Sequence, residues 1–190
     1  MKEKPILFSG PMVKAILDGH KTMTRRVIKP QPEIFDGMAG GDWCWWPLST
    51  DGSLRKCPYG AAGDHLWVRE TVWMYSNRHE VAGYVADCGN HFEHYVHKTP
   101  SIHMPRWASR INLKITGIRV ERLQDISAAD AQAEGLSCDA CGWFVPGNTK
   151  TGAPTAVECF SQLWDSINGE KCPWQSNPLV WVVEFKLLGP

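Results

Sequence analysis

The sequence predicts an α+β fold, with roughly six strands and three helices around a small curved sheet or barrel. Three observations carry this. Stretches such as "INLKITGIRVERL" alternate apolar and polar residues with the period of a strand. Others, such as "TAVECFSQLWDSIN", repeat with the period of a helix and begin at a capping signal. No internal repeat and no linker divides the 190 residues, so 1–190 reads as one domain with long loop insertions.

"PILF" (Pro5–Phe8) opens with a short strand. Ser9 is placed to cap a helix with Pro11 in its first turn. Met12, Ile16 and either Val13 or Ala15 give that helix its apolar stripe, and Gly19 ends it. "TMTRRVIK" (Thr22–Lys29) alternates as a strand, with Thr22, Thr24 and Arg26 on one face and Met23, Arg25 and Val27 on the other. Pro30 to Gly63 has no period and reads as an irregular insertion. "GDHLWVRE" (Gly63–Glu70) is a turn and a strand, and "EVAGYVAD" (Glu80–Asp87) is another strand. His91 to Pro105 reads as a loop.

Ile111–Leu123 is the longest strand. Asp125–Leu136 is a short helix capped by Ser127 and ended by Gly135. A Gly/Cys/Pro-rich loop follows. Thr155–Asn168 is the clearest helix, with Thr155 and Glu158 as a capping box and Val157, Phe160, Leu163, Trp164 and Ile167 as its stripe. Leu179–Leu188 is nearly all apolar, as an interior strand is.

Lys plus Arg and Asp plus Glu both number 20, so an anion-binding surface must be local rather than global. No apolar run spans a bilayer and no signal peptide precedes the first strand. A cytoplasmic protein with no membrane partner is expected. Ten tryptophans suggest a lined groove or aromatic packing under loops. Seven cysteines at irregular spacing suit free thiols better than a disulfide framework. "CDAC" (Cys138–Cys141) is a single CxxC, which is weak evidence for zinc. Cys44, Cys57, Cys88, Cys159 and Cys172, or His91, His94 and His97, are the residues available to complete such a site. No metal and no cofactor is expected.

Four groups of residues are candidates for chemistry. Lys21 stands at a helix-to-strand turn, with Thr24 and Arg26 pointing the same way beyond it. They offer converging donors for a phosphate or an oxyanion, the alternative being a solvated basic edge. Glu134 precedes Gly135 and becomes interesting beside a lysine, whose protons a carboxylate can handle. In "LWVRE", Trp67 and Arg69 share a face as a base-stacking and phosphate-binding pair, followed by Glu70. In "SIHMPRWASR", His103, Arg106, Trp107 and Arg110 fit a single-stranded nucleic acid groove, or a salt-bridged loop.

Taken in order, "ILFSGPMVKAILDGHKTMTRR", "GDHLWVRE", "PSIHMPRWASRINLKITGIRVERLQDIS", "AEGL", "LWDSIN" and "VWVVEF" resemble the ASCH domain proteins of tailed bacteriophages and prophages. The resemblance runs from Pro5 to Phe185 and is weakest over 36–56, 91–99 and 138–154, which look like insertions. It implies a PUA-like fold, a small mixed β-barrel flanked by helices, with a cleft for RNA or a modified nucleoside. Small members of the family hydrolyse the amide of N(4)-acetylcytidine, and others are linked to ribonuclease activity. Their G-x-K-T-x-T-x-R motif matches Gly19, Lys21, Thr22, Thr24 and Arg26. The resemblance implies Lys21, Thr24 and Glu134 as the catalytic set. Arg26, Trp67, Arg69, Glu70, His103, Arg106, Trp107 and Arg110 would bind substrate. The alternatives are an RNA-binding module that cuts nothing, and a phage accessory protein that binds a host protein through Trp43–Trp46.

Overall fold

The computed structural model describes residues 1–31, 55–76, 78–89, 96–146 and 152–189. β1 (Glu3–Leu7) leads into α1 (Gly10–Leu17) and β2 (Met23–Val27). β3 (His65–Arg69), β4 (Val72–Tyr75) and β5 (Val81–Tyr84) follow, then the single-turn α2 (Val85–Cys88) and β6 (Val96–Thr99). β7 (Asn112–Arg122) precedes α3 (Ala128–Ala133), β8 (Ser137–Asp139) and β9 (Gly142–Phe144). α4 (Ala156–Asn168) and β10 (Leu179–Leu187) complete a mixed α+β architecture.

The main sheet has the order β1-β3-β7-β10-β2. β1 and β3 are parallel, and the other neighbours are antiparallel. β10 is interior, as its apolar run predicted, with Leu179 through Val183 all buried. No backbone pairing joins β1 to β2 among the described residues. A side chain joins them instead. Arg26 Nη2 on β2 donates to the Leu7 carbonyl at 2.6 Å. The two edge strands therefore lie within one arginine's reach, and the sheet curls back on itself.

The core forms where the inner faces of this sheet meet α1 and α4. Leu66, Val68, Leu113, Ile115, Val180 and Val182 from the strands are buried, as are Val13, Ile16, Phe160 and Trp164 from the helices. Truncating Leu66 or Leu113 to alanine would cost about 2–5 kcal/mol at such sites. Thr155 caps α4 by accepting from the Glu158 N–H at 3.2 Å. Ile167, assigned to the buried stripe, is instead 66% exposed.

Short strands account for the remaining departures. β5, β4 and β6 make a second antiparallel sheet, and β6 lies inside the expected loop 91–105. The strand expected over Glu80–Asp87 stops at Tyr84, where the chain turns into α2. The CxxC segment forms the tip of the β8–β9 hairpin, with the Cys141 N–H bonded to Asp139 Oδ1 at 2.8 Å. Cys138 and Cys141 are free and exposed there. Among the described residues, no group of three or more His, Cys, Asp or Glu side chains is placed to hold a metal ion. Nor is any helix among them long and apolar enough to cross a membrane. Cys44, Trp43–Trp46, His91 and His94 lie outside the described residues.

Candidate active site

Lys21 is fixed from both sides by backbone. α1 ends at Gly19 in the left-handed region (φ 76°), and the next two N–H groups, of His20 and Lys21, both reach the Ala15 carbonyl. Thr22 then donates to the Ala133 carbonyl at 2.9 Å and accepts from the Phe185 N–H at 2.8 Å. Lys21 consequently pairs with Glu134 in an isolated antiparallel bridge. α3 brings Glu134 there. Ser127 caps that helix through the Asp130 N–H at 3.1 Å, and Glu134 closes its far end. Gly135 follows with φ 98°, where a Cβ would stand 3.1 Å from Ala15 Cβ and 3.2 Å from Lys21 Cβ. Only glycine meets both demands, the positive φ and the close approach.

Lys21 Nζ donates to the Glu134 carbonyl at 2.6 Å and to Glu134 Oε2 at 2.8 Å. Both side chains are buried. Burial holds the Lys21 amine below the ordinary lysine range. The charge and hydrogen bond of Glu134 oppose that shift, and Arg26 and Arg25 add to it. Thr24 is equally buried, and its hydroxyl has no hydrogen-bond partner among the described residues. Arg26 Nε is buried and has no hydrogen-bond partner among the described residues, although Nη2 holds Leu7. The Phe8 ring lies beneath both cations, 5.6 Å from Lys21 Nζ and 5.3 Å from Arg26 Cζ.

Lys21, Thr24, Arg26 and Glu134 all line one cleft of about 610 Å³. The alternation read from "TMTRRVIK" and the turn read before it therefore bring the expected set together. The sequence did not reveal the opposite wall. It is built by α4, which contributes Phe160, Leu163, Trp164 and Ile167, and by Tyr59. Lys29 and the uncapped Ser9 stand at its polar margins, and Ser9 makes no side-chain cap for α1.

Arg25 was also missed. Its side chain is fully buried, on the face opposite Thr24. Nη2 bonds Glu121 Oε2 at 2.9 Å and Asp130 Oδ2 at 2.7 Å, and Nη1 reaches Glu134 Oε1 at 3.5 Å. Arg119 binds Glu121, Asp130 and Glu184 behind it. A charged residue alternating with Met23 and Val27 on a core-facing strand was the available signal, since a buried guanidinium demands carboxylates.

The chain is similar in structure to the ASCH domain from Lactobacillus crispatus JV V101, with a TM-score of 0.48 and 12% identity over 98% of this chain and 79% of that one. It is also similar to protein EF3133 of Enterococcus faecalis V583, described under DUF984, with a TM-score of 0.45 and 10% identity over 99% and 80%. No protein-family model and no curated protein matches it.

The remaining expected binding residues do not line this cleft. Trp67 packs between two cations, with Arg69 Cζ at 5.3 Å and Arg106 Cζ at 5.7 Å from its ring. Arg69 donates to the Met104 carbonyl, and Arg106 pairs with Glu3. Arg110 grips buried Glu70 and also Asp87. His103 and Trp107 are exposed on adjacent 3-10 turns, with His79 4.1 Å from the Trp107 ring.

Proposed function

We propose that this cleft binds a modified nucleoside or RNA and hydrolyses an amide on its base, as in N(4)-acetylcytidine. The observation that carries the reading is the buried Lys21–Glu134 pair opening on the same cleft as the Thr24 hydroxyl, which has no hydrogen-bond partner among the described residues. A neutral lysine has two N–H donors and one lone pair. Two oxygens of Glu134 take the donors, which leaves the lone pair free to accept a proton. Burial favours that neutral form.

In the reaction, Thr24 Oγ1 bonds to the amide carbonyl carbon as its proton passes to Lys21 Nζ. The unpaired Arg26 Nε is a donor for the oxyanion. The C–N bond then breaks, and the Lys21 ammonium returns the proton to the departing nitrogen. Water attacks the acyl-threonine with the same proton exchange, releasing the carboxylic acid and restoring Thr24. Aromatic side chains from Phe8 and α4 give the base surfaces on which to stack.

One observation favours binding without hydrolysis. Lys21 Nζ bonds Glu134 rather than Thr24. A panel of acylated nucleosides followed by mass spectrometry separates the readings. Release of the free nucleoside, lost in Lys21→Ala, supports hydrolysis. Salt-dependent RNA affinity with no turnover of any member supports a binding module instead.

A further inference from the structure

We propose that Arg25 is a positioning residue of the cleft: its guanidinium takes one carboxylate oxygen of Glu134 and leaves the other to Lys21. The inference rests on the reading of Lys21 as an amine base and names the residue that keeps it one. Glu134 is the carboxylate nearest Lys21, and an undivided carboxylate would hold Lys21 as an ammonium.

The geometry supports a clamp. Oε2 of Glu134 accepts from Lys21 at 2.8 Å, and Oε1 lies 3.5 Å from Arg25 Nη1. Arg25 is itself anchored, because Nη2 binds Glu121 and Asp130 and its Cζ lies 6.0 Å from the Phe160 ring centroid. Asp130 in the first turn of α3 and Glu134 at its end are four residues apart, so both carboxylates face β2. Arg119 fixes Glu121 and Asp130 from behind. A fork of donors serves three carboxylates at once, which a lysine's point charge does not.

The charges facing Lys21 are few. β2 supplies Arg25 and Arg26, and α3 supplies Glu134. The part of α4 that lines the cleft supplies no ionisable side chain, and neither do Ser9, Pro11 and Met12 at the start of α1. Lys29 stands beyond the end of β2 on the cleft wall. Removing Arg25 therefore subtracts one like charge and returns both oxygens of Glu134 to Lys21. Both changes favour the ammonium.

The test reads the amine directly, without substrate. Lysine side-chain NMR of the full chain, with the Lys21 signal assigned by its loss in Lys21→Met, follows its ionisation against pH. In Arg25→Met the midpoint should rise by about one pH unit. Arg25→Lys keeps a charge beside Glu121 and Asp130, protects the fold, and should move the midpoint by less in the same direction. A wild-type midpoint in either folded variant overturns the proposal. The upward shift supports it even where no protein turns over any nucleoside, an outcome that would end the hydrolase reading alone. Where turnover occurs, the basic limb of the pH–rate profile should move with the NMR midpoint, and a fixed limb counts against the clamp.

Discussion

Two ion-pair clusters, each centred on a buried glutamate, are built from the same kinds of residue. At one, Arg110 grips Glu70 with a full fork, Nε to Oε1 at 2.9 Å and Nη2 to Oε2 at 3.2 Å. The same guanidinium holds Asp87 and lies 3.8 Å from the Tyr84 ring centroid, while Tyr84 donates to the Ala108 carbonyl. This latch fastens the end of β3 to β5 and α2. At the other, Glu134 divides its carboxylate between Lys21 and Arg25. Beside it, Arg25 Nε and Arg26 Nε are buried with no hydrogen-bond partner among the described residues. The latch spends its polar groups on one another, whereas the cleft keeps some in reserve. Unused buried donors are uncommon in folded proteins, and here they stand beside a lysine of lowered proton affinity.

The largest effects should separate the two clusters by kind. Lys21→Ala and Thr24→Ala should each lower amide hydrolysis by about 10³-fold, within the range of general-base and nucleophile losses, while circular dichroism stays unchanged. Arg110→Met should act on stability, because it strands the Glu70 carboxylate in the interior. A loss of about 3 kcal/mol in urea unfolding is expected, and the paired Glu70→Leu/Arg110→Met should recover most of it. A single variant as stable as wild type would break the description of the latch.

Gly135→Ala should cost about 2 kcal/mol through its positive φ and its crowding of Ala15 and Lys21, read by the same unfolding experiment. It strains the joint between α3 and Lys21, so the Lys21 NMR signal should shift as well.

The smallest effect concerns pH. Burial raises the Glu70 carboxyl above its ordinary value of 4.5, against the pull of Arg110. The folded state therefore binds the proton more tightly than the unfolded state. This contribution is fully present below about pH 4.5 and is lost as pH rises through the folded midpoint. The stability difference between wild type and Glu70→Gln should fall across that window. A rise would reverse the assignment of burial as the dominant cause.

Much of the cleft was legible because its parts are local. A glycine-ended helix, a turn and a strand of period two place Lys21, Thr24 and Arg26 within a few residues of one another. The short helix ending in "EGL" supplied Glu134, although its approach to Lys21 spans 113 residues and only the folded chain displays it. Arg25 was visible as a charge on a core-facing position, but its carboxylates lie 96 to 109 residues away. The outer arginines misled for the same reason. Arg106 meets Glu3 across 103 residues, so a run that read as a nucleic acid groove is partly neutralised by a strand at the other end of the chain. The hairpin at Cys138–Cys141 and strands β4 and β6 of the second sheet escaped notice because strands of three or four residues are too short to show a period.

The proposed hydrolysis requires that Lys21 and Thr24 perform chemistry in the cleft rather than merely shape it. Mass spectrometry of cytidine released from N(4)-acetylcytidine, with wild type, Lys21→Ala and Thr24→Ala side by side, tests it most directly. The wild type should release cytidine, at a rate that rises with pH until Lys21 is neutral, and either variant almost none. Equal release from all three folded proteins would contradict it.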